Sequence, residues 1–189
     1  MRRRCYAFLF VILCLNVHTL SAQPELNGAL GIPFGSTMEK AKKIMLGKPG
    51  VKLVKKHDAS QNKKFSWPFY FFTGLTMDGY VIDTCCLGGS LTNQSNTVSK
   101  FKMARLTFKD PSADTYYAIV EILQQQYGNP DNSADDPIGG IVYLWHFRAE
   151  GSEVKNSIEL EYFGPSYEHQ SLTLTYRGNG TTNRKEEKH

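Results

Sequence analysis

Residues 101–130, FKMARLTFKDPSADTYYAIVEILQQQYGNP, decide how this chain folds. Ala104, Leu106 and Phe108 alternate with Arg105, Thr107 and Lys109, the two-residue period of a half-buried strand. Asp110 and Pro111 then signal a helix start. A carboxylate at the N-cap accepts amide protons of the first turn, and proline suits the first helical position, where its missing N–H is not needed. Ser112 is the alternative cap. Asp114 adds negative charge near the positive end of the helix dipole. Tyr116, Ile119, Val120, Leu123 and Tyr127 recur at helical spacing and form one apolar stripe. Glu121, Gln124, Gln125 and Gln126 fall mostly off it. Gly128 can take a left-handed cap, and Pro130 blocks continuation.

An earlier stretch repeats the plan. Gly35-Ser36-Thr37-Met38-Glu39 reads as a helix start, with Ser36 and Glu39 at the reciprocal spacing of a capping box. Met38, Ala41, Ile44 and Met45 supply its inner face; Lys40, Lys42 and Lys43 supply its outer one. Gly47-Lys48-Pro49 ends it, as Gly128-Asn129-Pro130 ends the other. Strand-like sequence follows each stop, at 51–55, 65–73 and 80–87, then at 141–148, 157–163 and 171–177. Ile158, Leu160 and Tyr162 alternate with Glu159 and Glu161; Leu172, Leu174 and Tyr176 alternate with Thr173 and Thr175. This pattern predicts antiparallel sheet with one covered face and one wet face. Two helices on the covered face would bury both stripes.

The expected fold is therefore α+β: a single domain over 23–177, largely antiparallel sheet with two helices on one face. Two helix–strand half-repeats are expected at about 31–99 and 100–177. Residues 58–64 and 88–99 read as mobile connections, 131–140 as a further loop, and 178–189 as a disordered polar tail.

The chain opens with Arg2, Arg3 and Arg4, an apolar run from Tyr6 to Val17, and Leu20-Ser21-Ala22. A basic end, an apolar core and a small residue before the cut describe a signal peptide over 1–22. The core is too short for an ordinary membrane span, and no later run is longer. Export to the periplasm or the extracellular space is expected. Removing three arginines from the 22 Lys and Arg leaves 19 against 18 Asp and Glu, so the net charge falls from +4 to +1. That balance gives no support for a nucleic-acid partner. Only Cys85 and Cys86 would remain. Neighbours on a strand point to opposite faces, so both read as small buried hydrophobes; a strained vicinal disulfide and an intermolecular bridge are the alternatives.

The run from Gly31 to Glu39 (GIPFGSTME), with its Lys-rich helix and Gly47-Lys48-Pro49 stop, resembles the opening of small bacterial envelope domains. These include the outer-membrane assembly lipoprotein of the SmpA/OmlA type and β-lactamase-inhibitor-like proteins. The tandem helix–sheet halves are similar to TATA-binding-protein-like folds of exported bacterial proteins. The resemblance implies an envelope setting and an assembly or interaction role. It carries over no site residue, and this chain has no cysteine in a lipidation setting.

Chemistry-bearing motifs are sparse. His57, His146, His169 and His189 have no zinc-protease spacing, and no nucleophile elbow, phosphate loop or dinucleotide fingerprint occurs. A triad assembled from distant residues stays open. His146, between Trp145 and Phe147, reads as a structural histidine. Asp131, Ser133, Asp135 and Asp136 resemble the start of a calcium loop, but Asp136 stands where the turn glycine belongs and Val142 where the closing glutamate belongs. No cofactor or metal is assigned. Asn93 and Asn179 begin glycosylation sequons.

The densest aromatic cluster is Phe65, Trp67, Phe69, Tyr70, Phe71 and Phe72. On a strand, one alternate set enters the core and the other stays outside. Pro68 suggests a sheet edge or bulge. Trp67, Phe69, Tyr70 and Phe72 are the candidate binding residues, for an envelope protein or a glycan. The functional expectation is an exported, non-enzymatic interaction module of the bacterial envelope. A hydrolase of envelope carbohydrate or peptide and an envelope assembly factor are the rivals.

Overall fold

The computed structural model describes residues 25–57, 68–93, 96–135, 140–148, 154–166 and 169–178. The expected signal peptide, the 58–64 connection, Trp67, Asp136, the Asn179 sequon and the tail lie outside the described residues.

Each helix starts later than its strongest sequence signal. Helix α1 spans Met38–Leu46, and its cap is Thr37, whose Oγ1 accepts the Lys40 amide at 3.2 Å. Ser36 is unavailable because its carbonyl is tied to the Phe101 amide at 2.7 Å. Glu39 thus falls one position short of where a capping box needs it. It reaches sideways instead, to the Tyr70 hydroxyl at 2.6 Å and Lys42 Nζ at 2.5 Å. Helix α2 spans Ala113–Tyr127 and is capped by Ser112, not Asp110. Asp110 acts one step back: its Oδ2 accepts from Ser112 Oγ and Thr115 Oγ1, both at 3.1 Å.

Among the described residues, eleven strands follow from the register of the backbone hydrogen bonds. Strands β1 (Gly28–Ala29) and β2 (Ile32–Pro33) form a small hairpin. The main sheet contains β3 (Lys52–His57), β4 (Phe69–Thr73), β5 (Leu75–Met77), β6 (Tyr80–Asn93), β7 (Asn96–Phe108), β8 (Asn132–Asp135), β9 (Ile141–Arg148), β10 (Val154–Phe163) and β11 (Ser171–Gly178). Its order is β3-β4-β6-β7-β11-β10-β9-β8, with β5 prolonging β4 along β6, and every pairing is antiparallel.

Two expected loops are strand. Residues 88–93 and 96–99 continue a long hairpin in which Ser90 faces Lys100 and Leu91 faces Ser99. Glycine and polar residues there imitate a turn, but pairing with β7 overrides their weak local preference. Residues 132–135 form the edge strand β8 beside β9.

The register divides the sheet into two faces. Tyr70, Phe72, Cys85, Leu87, Ala104, Leu106, Leu174, Tyr176, Ile158, Leu160 and Trp145 share the inner face and are buried. Helix α1 sets Met38, Ala41 and Met45 into this layer, and α2 sets Tyr116, Ile119, Val120 and Leu123 into it. Tyr116 stacks on Tyr162 at 5.0 Å, and Trp145 Nε1 donates to the Gly128 carbonyl at 2.8 Å. With the Tyr70–Glu39 bond, these contacts place both helices on the same side. Gly128 has φ 82° and ψ −170°, a conformation that side chains disfavour. It lets the chain leave α2 with its carbonyl aimed at Trp145.

The strand order reads the same inward from either end. Each helix leads into four ladder positions, and the two closing strands, β7 and β11, meet in the middle. By topology the division between halves falls after Phe108, because β7 completes the first meander.

Candidate functional site on the outer sheet face

With the helices covering one face, the other carries the outward alternates of the strands, polar and apolar together. One row across it runs Phe69, Gly88, Met103, Arg177, Ser157 and His146, each opposite the next. The adjacent row runs Phe71, Cys86, Arg105, Thr175, Glu159 and Leu144.

Gly88 shapes the first row. A Cβ there would lie 3.0 Å from Met103 Cε and 3.3 Å from Phe69 Cε1. Its missing side chain lets the ring and the thioether converge. They floor an open depression of about 280 Å³, which Lys102 and Arg177 also line.

Charge is laid out beside it. Arg177 Nε and Nη2 lie 3.4 and 3.3 Å from Glu159 Oε2, and Arg105 Nη2 lies 3.4 Å from Glu161 Oε2. The arginines are about half exposed and the carboxylates more covered. Thr173 and Thr175, on β11 between these pairs, are buried. Long arginine stems lying across the sheet can cover such neighbours while their head groups stay wet. Burial pushes the Glu161 carboxyl above the usual range, its neighbour Glu159 adds to this, and Arg105 and Arg177 pull it back.

The expected aromatic site divides. Phe69 is half-buried on the outer face, joined by Phe71. Tyr70 and Phe72 are buried in the core, so they are not surface contacts. Their strand is also not an edge, since β3 covers it. Pro68 precedes the strand, and its carbonyl accepts the Gly89 amide at 3.2 Å. Met103, Gly88 and Arg177 were missed. Met103 and Arg177 sit at outward positions of their alternating runs, which a local pattern shows, but that they meet does not follow from it. Gly88 was hidden because it read as the start of a loop.

The two cysteines face opposite ways on β6, both as free thiols. Cys85 is in the core, where burial first and Cys86 second push its thiol up to about 12. Cys86 is half-buried on the outer face, and burial pushes it up to about 11 despite the pull of Arg105. Thiols so resistant to ionisation are poor nucleophiles at neutral pH.

Ser133 and Asp135 sit on β8, and Asp131 Oδ2 accepts the His146 backbone N–H at 2.5 Å. No metal-binding group of three or more His, Cys, Asp or Glu occurs among the described residues. His146 Nδ1 also lies 3.8 Å from Asp131 Oδ2. Ser157 is the cross-strand partner of His146 on its other side, without a hydrogen bond between their side chains. A second depression, of about 420 Å³, opens between Tyr80, Val81, Lys109 and Asp110 near the start of α2. The Asp110 carboxylate there is committed to Ser112 and Thr115.

No family model, curated protein or solved structure matches this chain. The likeness of residues 31–49 to envelope domains therefore rests on those residues alone. No described helix is long and apolar enough to cross a membrane.

Proposed function

We propose that the protein is an exported, non-enzymatic interaction module of the bacterial envelope that docks a protein partner on its outer sheet face. The support for export is the basic–apolar–small pattern of residues 1–22. The observation that carries the docking surface is the Phe69–Gly88–Met103 depression. Its apolar floor suits an inserted side chain, and flexible methionine adapts to the shape of what it meets. Lys102 on the rim favours an acidic neighbour on the partner.

The test is a photo-crosslinking residue at position 69, with position 81 as control. Val81 is 51% exposed but lies away from this depression. A partner captured at 69 and absent at 81 supports the reading, and its affinity is then measured against Gly88→Val. That change fills the depression by displacing the Met103 tip and crowding the Phe69 ring. Affinity should fall about tenfold or more, with the unfolding midpoint moved by only a few degrees. Equal capture at both positions, or an unchanged affinity, overturns the reading.

One observation favours a second reading, a hydrolase. Asp131 just before β8, His146 on β9 and Ser157 on β10 stand in the order carboxylate, imidazole, hydroxyl. That is the order in which a carboxylate orients an imidazole that deprotonates a hydroxyl. Labelling of Ser157 by a fluorophosphonate, abolished in His146→Ala, supports it; an unlabelled folded protein removes it.

A further inference from the structure

Charge on this chain is unevenly placed. Residues 38–57, which make α1 and β3, contain seven lysines and one acid, Glu39, for a local net of +6. The remainder of the chain keeps 22 − 7 = 15 Lys and Arg against 18 − 1 = 17 Asp and Glu, a net of −2. The fold gathers the basic segment at one corner. Lys42 of α1 and Lys56 of β3 approach the same ring, Tyr70, at 5.6 and 5.7 Å. The single acid is occupied by Lys42 and the Tyr70 hydroxyl. Lys40, Lys43, Lys52 and Lys55 are exposed around this junction.

Apolar side chains stand among these lysines. Leu46 is 45% exposed, Leu53 36% and Val54 64%. They are three of the five large hydrophobics exposed among the described residues. The register of β3 against β4 slips between Leu53 and Lys55, so Val54 has no partner on β4. Lysines on an edge strand also block edge-to-edge pairing, which would explain Lys52 and Lys55 alone. It explains neither the lysines of α1 nor the apolar side chains left in water beside them.

We propose that the α1–β3 corner binds an anionic phospholipid surface. Lysines concentrate on the negative surface and fall off it as salt screens the attraction. Leucine and valine tips between them enter the boundary between headgroups and acyl chains. A hydrated soluble polyanion satisfies the lysines but gives those tips nothing. Lipid is therefore the occupant that uses both features. By register Lys52 and Lys55 stand beside Thr73 and Phe71 on the outward side of the β3 edge, but neither lines the Phe69–Gly88–Met103 depression, so either proposal can fail alone.

The test is flotation of the full chain with vesicles of equal phosphatidylcholine and phosphatidylglycerol, and with phosphatidylcholine alone. Residues 1–22 are common to every variant, so the reading is the change between variants. Lys52→Gln with Lys55→Gln should lower partitioning onto the anionic vesicles about 25-fold, at roughly fivefold per lysine. Val54→Ser should lower it severalfold without changing its salt dependence. Lys109→Gln, outside the corner, should leave it unchanged. Circular dichroism checks that each variant keeps its fold. Partitioning that ignores the Lys52/Lys55 pair overturns the proposal. So does a lysine effect with none from Val54→Ser and full competition by heparin, which would mark the corner as a site for soluble polyanions.

Discussion

The first half, α1 with β3 to β7, and the second, α2 with β8 to β11, share a plan but stabilise it differently. Helix α1 has nine residues, three of them buried, and meets the sheet through a polar contact at its exposed side, Glu39 with Tyr70. Helix α2 has fifteen residues and five buried ones, and Tyr116, Tyr143 and Tyr162 form an aromatic stack beneath it. Both end in Gly-x-Pro, yet Gly47 is right-handed at φ −76° while Gly128 is at φ 82°. Identical punctuation in the sequence therefore produces two different exits. The comparison teaches that α2 is the more deeply packed helix, while the first half leaves more of its charge at the surface.

If so, core truncation in α2 should have the largest effect. Leu123→Ala, at a fully buried position, should lower stability by about 2–5 kcal/mol in urea unfolding. Met45→Ala in α1 is the matched change, and a larger loss there would make α1 the more deeply packed helix. The caps offer a sharper contrast at smaller scale. Ser112→Ala and Thr37→Ala should each cost about 0.5–2 kcal/mol. Ser112→Ala should cost more, because it also removes a hydroxyl shared with Asp110 and Thr115.

The smallest expected effect is electrostatic. Hydrogen bonding from Lys42 and then Tyr70 holds the Glu39 carboxyl below its usual value, against a smaller opposing effect of burial. A lowered folded value means this group stabilises above the ordinary carboxylate range and loses that contribution as pH falls through the folded value. Glu39→Gln should cost no more than about 1 kcal/mol at neutral pH, because the pair is exposed. The difference between the two proteins should shrink toward zero in acid. A difference that grows on acidification would contradict the arrangement.

Legibility in the sequence followed how far each signal depends on neighbours. The α2 stripe and the alternation in β10 and β11 are local, and Ile119, Leu123, Ile158 and Leu174 are buried as their periods require. The α1 cap shifted because Ser36 was claimed by Phe101, a contact that no local pattern encodes. The extension of β6 and β7 over 88–93 and 96–99, and β8, were missed because pairing partners, not their own residues, make them strands. The aromatic cluster was found, but its two faces could be separated only once the register put Tyr70 opposite Leu87. Of the depression, Phe69 was legible; Met103 and Arg177 arrive from strands distant in the chain.

The mirrored strand order also bears on how the molecule comes together. Neighbouring hairpins within each half close over short stretches of chain, whereas the central seam pairs Leu106 with Leu174. Loop-closure entropy makes such a distant pairing slow to form. The middle of the finished sheet is thus the joint expected to close last, after the hairpins on either side of it.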